Sequence, residues 1–314
     1  MTPPIPIIDA DTIRRYTPMP DLVEALRSAF RTDIEAPPRT AHALGEHVSL
    51  LLMPAWEPGG RVGVKLTHVD TERAPSVAAT YALLDGASGQ PLALLDGAML
   101  TARRTAAASA LAADYLARRD AATLLVLATG VLAPHLVEAH AAVRPLKKVL
   151  VWGRNPDKAQ AVANRVLATG LHADVVNDPR DAAGSADIIT SATSTHTPVL
   201  FGGDVGAGTH VDLVGSFRPD MREADAALFE RGRVYVDTFA GALEEAGDLI
   251  HALDTGALLR DDIAGDLAGL CRGTTAGRAS DDELTVFKSV GTALEDLAGA
   301  SLVYDRYAAG RSSR

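Results

Sequence analysis

The chain has 314 residues, enough for two domains with sizeable cores, and 47% of them are hydrophobic. Its formal net charge of -10, with no run of Lys or Arg, argues against a nucleic-acid partner. One cysteine, Cys271, excludes an internal disulfide and suits a reducing, cytoplasmic compartment. No secretory signal is expected, because the first residues carry prolines and no basic segment precedes an apolar run. No apolar stretch approaches the ~20 residues of a membrane span, so no membrane partner is expected.

Residues 20–31 (PDLVEALRSAFR) place Leu22, Val23, Leu26, Ala29 and Phe30 at helical spacing. Residues 48–53 and 62–67 read as short strands, punctuated by Pro54 and Gly59-Gly60. Residues 80–84 and 91–95 flank the segment DGASG and predict an antiparallel hairpin. A helix is expected from Thr101 to about Arg118. From Ala122 the pattern changes. A buried strand at 123–127 leads through a Gly-containing turn to a helix ending near Ala142, then a strand at 148–152 and a helix at 156–168. Further strands are expected at 187–191, 210–214 and 234–237. Strands alternating with helices imply a parallel sheet. After Ser280, the stretch DDELTVFKSVGTALEDLAGASLVYDRY reads as one last helix that packs on the first domain. The expected fold is α/β, with a Rossmann dinucleotide-binding domain at 119–288 inserted in a second, α+β domain made of 1–118 and 289–314.

The turn after the first buried strand runs Ala128-Thr129-Gly130-Val131-Leu132-Ala133. It resembles the dinucleotide fingerprint G-x-G-x-x-G/A with Ala128 at the first Gly, and an ordinary strand–turn–helix is the alternative. The next strand ends Val151-Trp152-Gly153-Arg154-Asn155, where an NAD site usually offers an acid to the ribose. Arg154 stands there instead. It favours NADP(H) over NAD(H), because a guanidinium can pair with a 2′-phosphate, although a solvated surface charge is the plainer alternative. Small residues at 190–194, Ala192 and Thr193 among them, leave room for a flat cofactor or simply make a tight loop.

Three cations stand out. Arg39 follows Pro37-Pro38, Lys65 lies in an apolar strand, and Arg104 is expected in the first turn of the Ala-rich helix. Together they suit a pocket for a carboxylate, with helix amides beside Arg104 adding to the field. A lone Lys in a strand otherwise faces solvent by alternation, and Arg103 is expected to be exposed. No HExxH, CxxC or His cluster suggests a metal; His42, His68, His196 and His210 are scattered. No G-x-S-x-G elbow supports serine hydrolysis.

These residues resemble the ornithine cyclodeaminase and mu-crystallin family. The resemblance covers most of the chain through PPRT (37–40), VGVKL (62–66), GQPLALLDGAMLTARRTAAASALAADYLAR (89–118), ADIITSAT (186–193), VDLVGSFRPDMREAD (211–225), VYVDT (234–238) and SDDELTVFKSVGTALEDL (280–297). It implies a homodimer of two-domain subunits, the second domain binding substrate and forming the dimer. Arg39 and Arg104 would clamp a substrate carboxylate, and Lys65 would bind it or move a proton at the imine nitrogen. The backbone of Gly130, Val131 and Leu132 would hold the pyrophosphate, with Arg154 and Asn155 at the ribose and Ser289 to Gly291 near the nicotinamide. Phe217 replaces the Asp used in amine chemistry by cyclodeaminases, which aligns the chain with the ketimine-reductase form. Val77 and Ala78 stand where mu-crystallin is polar, so a more apolar pocket is expected. Ala128 and Leu132 replace the Gly and Gln of the usual turn, and a methyl at 128 is expected to crowd it. The expected activity is reduction of a cyclic imino acid such as pyrroline- or piperideine-2-carboxylate. Ornithine cyclodeamination and non-catalytic binding of NADP and a small ligand are the alternatives.

Overall fold

The computed structural model describes residues 4–70, 72 and 77–312. They form two compact units, one taking the residues up to Ala107 and those from Gly291, the other running from Ala108 to Val290. Among the described residues no helix is long and apolar enough to cross a membrane.

The first unit contains β1 (Ile7–Ile8), α1 (Ala10–Tyr16), α2 (Met19–Ala29), β2 (Thr40–Ala43), β3 (Val48–Trp56), β4 (Arg61–Asp70), β5 (Val77–Asp85), β6 (Pro91–Asp96) and the start of α3 (Gly97–Leu116). The sheet order is β1-β6-β5-β4-β3-β2. Only β1 pairs in parallel, with β6. The expected hairpin is β5–β6, with a bulge at Leu83/Leu84.

Strand alternation decides what faces the core. Met53, Ala55, Tyr81, Leu83, Ala93 and Leu95 are buried with Ala293, Leu297, Ala300 and Val303 of the C-terminal helix (Ala293–Ser312). On β4 the buried positions are Gly63, Lys65 and Thr67. Lys65 therefore lies in an inward row, opposite Met53 on one side and Tyr81 on the other. The alternative, that alternation turns it to solvent, fails because its strand neighbours Val64 and Leu66 take the outer face.

Two expectations about α3 are corrected. The helix starts at Gly97, not Thr101, with the Asp96 carboxylate accepting from the Met99 amide at 2.8 Å. A Cβ at Gly97 would stand 2.7 Å from the Ala79 carbonyl carbon, so only glycine lets the helix begin against β5. Arg104 thus lies about two turns into the helix, away from its free amides. Arg103, expected at the surface, is 1% exposed. Its guanidinium donates to the Thr17 hydroxyl (3.2 Å) and carbonyl, closing the end of α1.

The second unit contains β7 (Thr123–Leu127), α4 (Leu132–Val143), β8 (Lys148–Trp152), α5 (Pro156–Leu167), β9 (His172–Val175), α6 (Pro179–Ala183), β10 (Ile188–Ser191), β11 (His210–Leu213), α7 (Ala226–Arg231), β12 (Arg233–Val236), α8 (Phe239–Glu245), α9 (Gly247–Asp254), β13 (Gly265–Asp266), α10 (Leu267–Arg272) and β14 (Thr285–Lys288). Its sheet is wholly parallel, in the order β13-β12-β14-β11-β10-β7-β8-β9. Apolar layers cover both faces: Leu124 and Val126 point into one, Leu125 and Leu127 into the other. The C-terminal half of α3 belongs to this unit because Ala113 and Ala117 pack in one of those layers.

The segment 285–288, expected as helix, is strand β14. It is hydrogen-bonded between β11 and β12, and all four residues are buried. A short, continuously apolar run does not distinguish a central strand from a buried helix, and Thr285-Val286-Phe287 suits a strand. The final helix begins only after Gly291, whose φ is +81°.

Candidate active site

In the first unit two of the three expected cations, Lys65 and Arg104, meet two acids of the C-terminal helix, while Arg39 reaches the backbone just before it. Lys65 Nζ donates to Asp296 Oδ2 at 2.7 Å. Arg104 Nε donates to the other oxygen, Asp296 Oδ1, at 2.9 Å, and its Nη1 to Glu295 Oε2 at 2.5 Å. Arg39, half-buried, donates through Nη2 to the Gly291 carbonyl at 2.9 Å. A Cβ at Gly291 would stand 3.0 Å from Arg104 Nη2 and closer to Nη1. Glycine is required there by both its φ and this approach.

Lys65, Arg104, Glu295 and Asp296 are all essentially removed from solvent. Burial pushes the Lys65 ammonium down to about 8; Asp296 opposes this, while Arg104 and Arg39 add to it. Burial works against the Asp296 carboxylate, but Arg104 and then Lys65 outweigh it and hold it below the ordinary range. Burial likewise disfavours the Arg104 charge, and Asp296 and Glu295 overcome it, so Arg104 stays charged throughout. The acids fix the cations from one side. Two hydrogens on Lys65 Nζ and the Nη2 group of Arg104 take no acceptor among the described residues. Such free, oriented donors suit a carboxylate, and a lysine near neutrality suits proton transfer.

Sequence reasoning missed Glu295 and Asp296. Their signal was two adjacent acids in the otherwise small and apolar run ALEDLAGA (293–300), all of which is buried.

In the second unit, the strand order reverses at β7, which pairs with β8 on one side and β10 on the other. A crevice is expected beyond the carboxyl ends of strands at such a point. A cavity of about 490 Å³ lies there, lined in part by Thr129, Gly130, Arg154, Asn155, Ala192 and Thr193. A Cβ on Gly130 would meet no protein atom within 4 Å, so the turn opens onto free space where a pyrophosphate can approach. Val131 and Leu132 do not line the cavity; they begin α4 and contribute its first amides. Ala128 is buried in an apolar layer and also lines the cavity, and no non-glycine residue among those described has positive φ, so the turn needs no glycine there for its backbone.

Ala192 and Thr193 offer shape more than donors. The Ala192 amide binds the Leu127 carbonyl (3.2 Å), and the Thr193 amide and hydroxyl bind Glu223. Asn155 Oδ1 caps α5 by accepting from the Asp157 and Lys158 amides. Lys158 lines the same cavity, and no acid does. Ser289 lies at the end of β14, with its amide on the Leu213 carbonyl (3.1 Å). Gly291 belongs to the first unit, against the cations.

Glu223 also escaped sequence reasoning, since nothing in MREAD marks it. It is fully buried and accepts from Ser191 Oγ (2.6 Å), the Thr193 amide (2.6 Å) and hydroxyl (2.9 Å), and the Gly215 (2.5 Å) and Ser216 (3.2 Å) amides. Burial, with Asp248 adding to it, raises Glu223 above the usual carboxylate range, and Lys288 opposes them. Five converging donors suit its ionised form. It ties the loop after β10 to the loop after β11 and so shapes one wall of the cavity. Phe217, in the second of these loops, is 48% exposed.

Among the described residues no group of His, Cys, Asp and Glu could hold a metal ion.

The model of the ornithine cyclodeaminase/mu-crystallin family matches residues 8–311. A delta(1)-pyrroline-2-carboxylate reductase of Colwellia psychrerythraea is 35% identical, covering 96% of this chain and 99% of that protein. The solved structure of Thermococcus litoralis delta(1)-pyrroline-2-carboxylate reductase, in complex with NADH and L-proline, superposes with a TM-score of 0.93 at 32% identity over 98% of each chain. An archaeal alanine dehydrogenase dimer with bound NAD gives a TM-score of 0.92 at 26% identity, over 98% of this chain and 97% of that one.

Proposed function

Because the chain belongs to the ornithine cyclodeaminase/mu-crystallin family, we propose that it is an NAD(P)H-dependent reductase of a cyclic imino acid such as pyrroline-2-carboxylate. The observation that carries this is the buried Lys65–Asp296–Arg104 cluster, which leaves cationic donors free and holds a lysine near neutral pH. Reductases of pyrroline-2-carboxylate among the relatives support it.

When bound, a reduced nicotinamide would supply the hydride. Arg104 and Arg39 take the substrate carboxylate, each held by its own partner, so little is lost in ordering them. Lys65 gives a proton from Nζ to the imine nitrogen and regains it from solvent. The Gly130 turn and the first amides of α4 take the pyrophosphate. Ala192 and Thr193, braced by Glu223, form a wall, and Ser289 would border the nicotinamide.

NADP(H) is the preferred cofactor in this reading, although the compared structures hold NADH or NAD. Arg154 and Lys158 give the cavity two positive charges and nothing in its lining repels a 2′-phosphate. Phe217 offers no carboxylate for ornithine chemistry. A dimer also fits. The outer face of the first unit's sheet carries Leu50 and Leu52, with Leu66 40% and Leu94 36% exposed.

The test is kinetic. Lys65→Ala and Arg104→Ala should each abolish imine-dependent NADPH oxidation while NADPH still binds; turnover unchanged in both variants would defeat the proposal.

A further inference from the structure

Among the described residues Asp296 is the one acid that touches both Lys65 and Arg104, giving a separate oxygen to each. We propose that Asp296 is a positioning residue for the reaction: it keeps Lys65 protonated and aimed, and shares one carboxylate between the proton donor and the carboxylate clamp. The inference rests on the imine-reductase reading above.

The geometry separates the two acids. Glu295 reaches Arg104 but is not bonded to Lys65. Asp296 is 0% exposed, so water screens neither contact. The groups facing Lys65 come from each element around it: Arg104 from α3, Arg39 from the segment before β2, Tyr81 from β5 and Asp296 from the C-terminal helix. Arg104 and Arg39 expel its proton and Asp296, the anion bonded to it, retains it. An ammonium in such company loses its proton readily once the anion is gone. Asp296 itself stays ionised through the cycle. When Lys65 gives up its proton, Asp296 keeps the bond to Arg104, so the clamp does not move as the donor is spent.

The experiment compares Asp296→Asn with Glu295→Gln in the full-length protein. Two readouts are followed from neutral into alkaline pH: imine reduction with NADPH, and calorimetric binding of pyrrole-2-carboxylate, a planar carboxylate that is not reduced. Removing a contacting opposite charge shifts a pKa by about one to three units. Asp296→Asn should therefore move the alkaline loss of both readouts down by about one to three pH units. Glu295→Gln should weaken binding without moving that limb, and Asp296→Glu should restore it. Asp296→Ser, which leaves room for water, gives the same measurement if the asparagine variant does not fold. An unmoved limb in the neutral variants, with activity merely lowered, would overturn the inference. A limb that moves in binding while the native protein reduces no imine would defeat the functional reading alone.

Discussion

Replacing Gly291 with alanine tests whether this residue serves the carboxylate clamp or the nicotinamide. Its φ of +81° costs an alanine about 1–2 kcal/mol. The new methyl would also meet the Arg104 guanidinium, 3.0 Å from Nη2 and 3.1 Å from Cζ. The guanidinium cannot retreat freely, because Asp296 holds Nε at 2.9 Å and Glu295 holds Nη1 at 2.5 Å. Losing one such charge-assisted bond costs about 1.5–3 kcal/mol. If half of the combined cost reaches substrate binding, KM rises roughly 8- to 60-fold, at about 1.4 kcal/mol per factor of ten. Steady-state kinetics with pyrroline-2-carboxylate gives KM, and fluorescence titration gives the NADPH affinity. The structure predicts a raised KM with NADPH affinity unchanged. A KM within about twofold of native, with weakened NADPH binding, would refute the reasoning and return Gly291 to the cofactor site.

Native imine reduction should be sustained below about pH 8 and fall as pH rises through it, because Lys65 then loses the proton it must donate. Lys65→Arg, slower but untitratable, should lack that limb in a pH–rate profile; the same limb in the variant would place the titration elsewhere. Arg154→Ala and Lys158→Ala should each raise KM for NADPH roughly 3- to 10-fold and leave NADH unaffected, as exposed charges are worth only ~1 kcal/mol or slightly more on a phosphate. Equal effects on both cofactors would count against a 2′-phosphate contact. Gly215→Ala would put a methyl 2.5 Å from the Thr193 amide nitrogen and 2.6 Å from Glu223 Oε1. Backbone cannot yield there, so a loss of about 3 kcal/mol and a Tm lower by roughly 5–10 °C should appear in thermal melts.

The parallel sheet was legible because its strands and helices declare themselves locally. Strand 123–127 and strand 148–152 coincide with β7 and β8. β14 was not legible: LTVFKSV carries no period that separates strand from helix, and only its neighbours β11 and β12 decide the matter. The cations were visible as residue types in unusual places, but their environment was not. Lys65 alternates inward only if β4 has one covered face, and that cover comes from a helix more than 200 residues on. For the same reason Arg103 seemed exposed, although Thr17 waits for it at the end of α1. Glu223 had no local mark at all, and Asp296 only its place in a pair of adjacent acids; each matters through groups distant in sequence that converge on it.

The central claim is imine reduction. The most direct test is oxidation of NADPH and NADH by the purified protein, with pyrroline-2-carboxylate and then piperideine-2-carboxylate. Imine-dependent oxidation is expected, faster with NADPH, with proline as the product from the first substrate. No oxidation with either cofactor, while both nucleotide and pyrrole-2-carboxylate bind, would contradict it.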